Sequence, residues 1–250
     1  MDCGVLDSDF TIRTCLVDEE EKMNLTHAEY KAQVGKDARL FGEDYDYFAE
    51  SKVQKIQRFY DDIMLYVPNP INVLEIGCGT GGILDHLEHL SYTTTYLGVD
   101  ISEHAIAQAR IRAGVGMTFK VVRSTDIPVE DATMDLVIMS MVIHHVQPEY
   151  RMRILFEVYR VLKRGGVLAV FEHNPINPVT RWVVKHSPLD EGVSLIDRKQ
   201  MSFLIHGAGL HIARQEYMTF FPKFLSSLRF LEPRLTECPL GAQYFIGAMK

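Results

Sequence analysis

The run Val73-Leu74-Glu75-Ile76-Gly77-Cys78-Gly79-Thr80-Gly81-Gly82 sets a cluster of glycines directly behind an apolar stretch that contains one acid. Glycine adopts positive φ and has no Cβ, so such a turn lets the backbone pass close to a ligand. Free amides at the start of a following helix favour a carboxylate or phosphate there. Two patterns fit the same residues. Gly77, Gly79 and Gly82 satisfy G-x-G-x-x-G, the dinucleotide-binding spacing, whereas Glu75 with Gly77, Gly79 and Gly81 satisfies E-x-G-x-G-x-G. Asp100 follows Gly77 by 23 residues, where an acid can accept hydrogen bonds from both hydroxyls of a ribose. Any unphosphorylated adenosine suits it. Glu75 is more selective, because a carboxylate inside an apolar strand needs partners, repels a pyrophosphate and welcomes a cationic amino-acid group.

A second set of reactive side chains stands behind two later apolar runs. His144 and His145 follow MSMVI, and Glu172-His173-Asn174 follows LAVF. Histidine is the usual proton acceptor near neutral pH, and a hydroxyl nucleophile gains from a general base. His145, His144 and His173 are therefore the candidate catalytic residues. Neither these nor His86-x-x-His89 shows a further ligand at metal-site spacing, so no metal is expected, and His86 and His89 read as solvated helix positions. In HNPINPVTRWVVKHSPLDEGVSLI (173–196), Arg181, Trp182, Lys185, His186 and Asp190 offer stacking and polar contacts suited to a sugar or an anionic metabolite. Tyr45, Tyr47 and Phe48 could complete the walls. The other reading makes Trp182-Val183-Val184 one apolar helix face packed on the core.

Positioning these groups falls to an alternation of apolar strands and helix-length segments between about 71 and 172, the rhythm of a parallel sheet covered on both faces. The strands expected are 71–76, 95–100, 117–122, 134–140 and 166–172. Between them lie helices at 80–90, at 102–112 with Ser102 as N-cap, and at 147–163 closed by Gly165-Gly166. A helix at 197–208 and strands near 211–220 and 242–249 complete the chain. In an open parallel sheet the ligand crevice lies beyond the carboxyl ends of the strands, where strand order reverses. The glycine turn, Asp100, the two adjacent histidines and His173 all stand just past such ends. Residues 1–67 read as a helical leader, with 41–60 bridging two helices, that packs on the sheet edge or over the ligand mouth. Residues 68–250 form the ligand-binding domain, and 173–196, long for a connection, is the candidate substrate loop.

Composition narrows the partners. With 26 Lys and Arg against 33 Asp and Glu, and a net charge of -7, the chain lacks the cationic excess that nucleic acid or an anionic membrane would call for. Cys3, Cys15, Cys78 and Cys238 form no C-x-x-C pair, which points to reduced thiols and neither a zinc site nor a disulfide framework. The acidic start MDCGVLDSDF is unlike a signal peptide, no apolar run is long enough to cross a membrane, and a cytoplasmic location is expected. Asn24-Leu25-Thr26 matches the glycosylation triplet only by chance on that reading. Oligomeric state is not legible.

The segments LEIGCGTGG (74–82), LGVD (97–100), DLVIMSMVIHHV (135–146) and VLKRGGVLAVFE (161–172) resemble, in order, the motifs of the class I S-adenosylmethionine-dependent methyltransferases, and the resemblance runs from about 60 to 250. It implies an α/β, Rossmann-like doubly wound, mainly parallel seven-stranded sheet with helices on both faces and an antiparallel C-terminal strand. It implies S-adenosylmethionine as cofactor, with Glu75, Gly77, Cys78, Gly79 and Gly81 at the loop, Asp100 and Ile101 at the ribose and adenine, and Ser140 and Met141 behind the fourth strand. One departure stands out. Family members commonly carry G-D-A-x-x-L-P after the third strand, and aligning that Leu-Pro with Ile127-Pro128 puts Arg123 at the adenine-binding Asp. The adenine contact then falls to Ser124, Thr125 or Asp126. The implied activity is methyl transfer to a small molecule, O-methylation of a sugar or other metabolite. An NAD-dependent oxidoreductase and a catalytically silent binding module are the alternatives. Ser140-Met141-Val142-Ile143 stands where base-amino methyltransferases carry N-P-P-Y, which disfavours a nucleic-acid acceptor.

Overall fold

A computed structural model describes residues 25–63, 70–89 and 94–250; the expectations on Cys3, Cys15, Asn24, the first residues and the His89 side chain lie outside what is described. The strands are β1 (Ile71–Ile76), β2 (Thr94–Asp100), β3 (Met117–Val121), β4 (Met134–Ser140), β5 (Leu162–His173), β6 (His211–Met218) and β7 (Gln243–Met249). They form one sheet in the order β3-β2-β1-β4-β5-β7-β6. β1 to β5 run parallel, and β7 inserts antiparallel between β5 and β6. Strand order reverses between β1 and β4, so the crevice above their carboxyl ends is where a ligand is expected.

The central strands read as unbroken apolar runs because both faces are covered. In β4, Leu136 and Ile138 join the core on one face and Val137 and Met139 the core on the other, and in β5 Val167, Ala169 and Phe171 oppose Leu168 and Val170 in the same way. The first face is covered by α2 (Tyr45–Ile63) and α3 (Glu103–Ile111), the second by α4 (Pro148–Val161) and α6 (Arg198–Gly207). α1 (His27–Asp37) and α5 (Pro178–His186) stand at the cavity end. Ser102 caps α3 by accepting from the Ala105 amide, and Asp197 opens α6 with a capping box to Gln200. Among the described residues no helix is long and apolar enough to cross a membrane.

Four expectations need correction. Residues 80–90 do not form an α-helix: Gly81 sits at φ +78°, outside the helical region, and only a 3-10 turn, Leu84–His89, follows. The helix expected to 163 ends at Val161, because Leu162 is already extended and pairs with Met134, leaving Gly165 and Gly166 inside the strand. The aromatic run 41–60 bridges nothing; most of it is α2, whose inner face buries Phe48, Lys52, Ile56, Phe59 and Tyr60 at helical spacing. The Phe59 ring fills the space over Gly247, where an added Cβ would lie 2.4 Å from it. Finally, 173–196 is mostly ordered structure. Asn177 caps α5 through the Val179 and Thr180 amides, and a 3-10 turn, Pro188–Asp190, follows. Asn174 Nδ2 donates to the carbonyls of Pro239 and Gly241, and Asn177 Nδ2 to that of Leu240, pinning the segment against the approach to β7.

Candidate functional site

The turn behind β1 is held by β2. The amides of Gly77 and Cys78 donate to the Val99 carbonyl at 2.8 and 3.1 Å. Asp100 accepts from the Gly79 amide at 2.7 Å and the Ser102 amide at 2.9 Å, so one carboxylate ties the loop to the start of α3. Burial raises the Asp100 carboxyl above its usual range although those amides pull it down. Gly77 and Gly79 both have positive φ, yet they face different surroundings. A Cβ on Gly77 would strike Val142, whereas one on Gly79 would meet nothing within 4 Å.

That open side borders a cavity of about 350 Å³. Its floor carries Glu75, Gly77, Cys78, Gly79, Asp100 and Ile101. Ser124, Thr125, Ser140 and Met141 extend it, and the buried Thr125 hydroxyl has no hydrogen-bond partner. Met141 itself holds φ +59°, an uncommon backbone state for a side chain of that size, secured by its amide bond to the Phe171 carbonyl. Gly81 and Asp126 do not line the cavity. Gly81 faces Leu84 and Ala109 in the packing under α3, and Asp126 points to Arg153 at 3.1 Å on the surface. Arg123 likewise turns to Glu103 at 3.0 Å.

Glu75 is only 3% exposed. It accepts from the Tyr96 hydroxyl, and burial pushes its pKa up to about 8 against the pull of Tyr96 and Lys52. The sequence reading missed Lys52. It reaches from α2 into the cavity and donates to Ser140 Oγ at 2.9 Å; burial lowers its pKa to about 8 against the attraction of Glu172 and Glu75. The available signal was a lysine in the buried stripe of an otherwise regular amphipathic helix, where an unpaired ammonium would be costly.

His144, His145, His173 and Asp190 also line the cavity. His144, 1% exposed, donates through Nδ1 to Glu172 Oε2 at 2.5 Å, and Glu172 Oε1 accepts the amides of Val142 at 3.1 Å and Ile143 at 2.7 Å. On the other side of the ring, Nε2 lies 3.4 Å from Asp190 Oδ1 without forming a hydrogen bond. His173 Nε2 and His145 Nε2 each stand 3.9 Å from an Asp190 oxygen. Burial alone would lower the His144 pKa, but Glu172 and Asp190 together hold it up to about 9. Burial and the neighbouring His144 charge lower His173 to about 4. Burial would raise Asp190, yet the histidines bring it down to about 2.

Of the other side chains expected here, Tyr45 and Phe48 line the cavity, as does Val183. Tyr47 lies under the Arg229 guanidinium. Trp182 is 45% exposed and rests on His186, while Arg181 and Lys185 are also turned outward on α5. Thus α5 does not pack its Trp182-Val183-Val184 run as one face: Val184 is buried, Val183 faces the cavity and Trp182 faces out. His86 is packed beside Asp46 at 3.5 Å and is not solvated.

Residues 73–166 match the family described as methyltransferase domain. A phthiotriol/phenolphthiotriol dimycocerosates methyltransferase of Mycobacterium ulcerans is 32% identical over 111 residues, 44% of this chain and 40% of that protein. A fatty-acid O-methyltransferase of Mycolicibacterium smegmatis is 28% identical over 132 residues, 52% of this chain and 47% of its own. These alignments thus span less than half the length of those curated relatives. Among solved structures, a possible histamine N-methyltransferase of Thermotoga maritima superposes with a TM-score of 0.63 at 20% identity, covering 93% of this chain and 99% of that one. The Haemonchus contortus phosphoethanolamine N-methyltransferase 2, solved with S-adenosyl-L-methionine, superposes with a TM-score of 0.58 at 18% identity over 80% of this chain and 52% of its own.

Proposed function

We propose that this chain is a class I S-adenosylmethionine-dependent methyltransferase that transfers a methyl to a hydroxyl of a small molecule held against the histidine wall. The observation that carries this reading is the meeting, in one cavity, of an open glycine cradle tied to Asp100 and a converging set of His144, His145, His173 and Asp190.

The residues suit the cofactor. The open side of Gly79 leaves room for a ligand against the backbone, Asp100 offers a carboxylate for ribose hydroxyls, and the unpartnered Thr125 hydroxyl offers a polar contact further along the floor. Lys52 and Glu75 would hold the carboxylate and ammonium of the amino-acid end. Bound there, S-adenosylmethionine supplies a methyl on a sulfonium sulfur, open to in-line displacement. The protein's own share is to align the acceptor oxygen, keep water away and draw off its proton; with His144 held up to about 9 and so already protonated near neutral pH, that role falls to His145 and His173.

Val34, Phe41, Phe48, Ile154, Val183 and Leu189 give the cavity a mainly apolar lining, with Asp37, Thr219 and Gln243 among its polar side chains. We therefore favour an acceptor with an apolar body and a hydroxyl or carboxyl oxygen, in keeping with the fatty-acid acceptor named for one relative. The dinucleotide alternative loses its footing on the methyltransferase match and on the antiparallel β7. Calorimetric titration with S-adenosylhomocysteine and with NAD, followed by labelled-methyl transfer to fatty acids, long-chain alcohols and sugars, tests the proposal. Folded protein that fails to bind S-adenosylhomocysteine would overturn it.

A further inference from the structure

Building on the reading of this cavity as a methyl-transfer site, we propose that His144, His173 and Asp190 bind one divalent transition-metal ion of the zinc type on the acceptor wall. The residues come from three separate elements: the 3-10 turn Ile143–His145 behind β4, the carboxyl end of β5, and the turn Pro188–Asp190. Each offers one ligand atom, and the three atoms lie within 4.8 Å of one another. Zinc bonds of about 2.0–2.1 Å in tetrahedral geometry place ligand atoms roughly 3.3 Å apart. The observed separations are 3.4 Å from His144 Nε2 to Asp190 Oδ1 and 3.9 Å from His173 Nε2 to Asp190 Oδ2. The side chains would draw together from separations of up to 4.8 Å to close the site.

His144 supplies the independent observation. Its Nε2 is fully buried, has no hydrogen-bond partner and lies 3.4 Å from Asp190 Oδ1. The other nitrogen of the same ring is committed to Glu172, which is itself gripped by two backbone amides. With Nδ1 donating to Glu172, Nε2 is the ligand atom that the neutral ring offers, beside the Asp190 carboxylate. A carboxylate behind a metal-ligating histidine is the usual way to fix its tautomer and orientation. Two ring nitrogens among three ligands favour a zinc-like ion over magnesium or calcium, which take oxygen.

Three protein ligands leave a fourth position, and all three line the cavity, so that position is open to an acceptor. Two neutral imidazoles and one carboxylate leave the ion with a net charge of +1 that an acceptor oxyanion would neutralise. Coordination lowers the pKa of the acceptor hydroxyl, whose proton passes to His145, the wall histidine outside the ion site. An oxygen lone pair then forms the new O–CH3 bond while the C–S bond breaks with its electron pair kept by sulfur. The products are the O-methyl acceptor and S-adenosylhomocysteine.

The full chain, stripped with chelator, would be titrated calorimetrically with zinc and, in parallel, spectroscopically with cobalt(II), whose visible bands report tetrahedral N/O coordination. S-adenosylhomocysteine binding would be measured on each sample. One equivalent of zinc is expected to bind, and Asp190→Asn and His173→Gln should each weaken it roughly tenfold or more while binding of S-adenosylhomocysteine survives. Wild-type protein that binds S-adenosylhomocysteine but takes up no zinc would overturn the ion site, leaving a proton-bridged His–Asp cluster and an intact methyltransferase reading. Zinc binding indifferent to both substitutions would overturn it as well. Zinc bound at these residues without any binding of S-adenosylhomocysteine would sustain the ion site and refute the function it rests on.

Discussion

Replacing three glycines one at a time by alanine separates the cost of the backbone from the loss of the ligand. Gly77, Gly79 and Gly165 have φ of +69°, +52° and +78°, so each substitution carries a similar left-handed penalty, about 1–2 kcal/mol. What the new methyl meets differs. At Gly165 and Gly79 there is nothing within 4 Å, but Gly165 lies at the start of β5 away from the cavity while Gly79 borders it. At Gly77 the methyl would approach Val142 Cγ2 to 2.4 Å, adding an overpacking cost of about 1–3 kcal/mol. Gly165→Ala and Gly79→Ala should therefore lower Tm alike, by roughly 2–8 °C, and Gly77→Ala by more. Only Gly79→Ala should combine a small loss of stability with a large loss of affinity. A methyl thrust into a well-fitted ligand contact costs about 1–3 kcal/mol, or roughly 5- to 150-fold in Kd for S-adenosylhomocysteine. Thermal unfolding and calorimetry on the three variants supply both numbers. Wild-type affinity in Gly79→Ala, or equal weakening in Gly165→Ala, would refute the assignment of the cradle.

Asp100→Asn should weaken S-adenosylhomocysteine by about 1.5–3 kcal/mol, the range for a hydrogen bond to a charged group, and unchanged calorimetric affinity would remove the ribose role. Lys52→Met deletes a buried ammonium, so Tm should hold or rise while S-adenosylhomocysteine binding falls roughly tenfold or more; full affinity would show that Lys52 only packs. Glu75 and Lys52 predict a stability minimum near pH 8 in the ligand-free protein. The Glu75 pKa is raised from 4.5 to about 8 on folding, so its contribution is full below 4.5 and is lost as pH rises through 8. The Lys52 pKa is lowered from 10.5 to about 8, so its contribution is present above 10.5 and is lost as pH falls through 8. Glu75→Gln should flatten only the acid limb of a Tm-against-pH curve, and parallel curves for variant and wild type would contradict the buried carboxyl.

The two ends of the cavity were unequally legible, for a physical reason. The floor is local: one strand, one turn and the end of the neighbouring strand build it, so Glu75, Gly77, Gly79 and Asp100 lie close together in the chain and announce themselves by spacing. Even there, tertiary packing overruled the pattern at Gly81, spent on the fit under α3, and at Asp126, drawn away by Arg153. The acceptor wall is assembled across long stretches of chain. Lys52 meets Ser140 across 88 residues, and Asp190 reaches His144 only because α5 turns the chain back over the strand ends. No spacing rule marks such partners, which is why the place of Asp190 beside His144 and His173 was invisible in the sequence. The same construction couples specificity to chemistry. Asn174 and Asn177 anchor the segment that carries both the apolar residues Val183 and Leu189 and the carboxylate of Asp190. A change in that segment that admits a different acceptor would therefore also move Asp190 against His144 and His173, so acceptor choice and the reactivity of the wall must vary together.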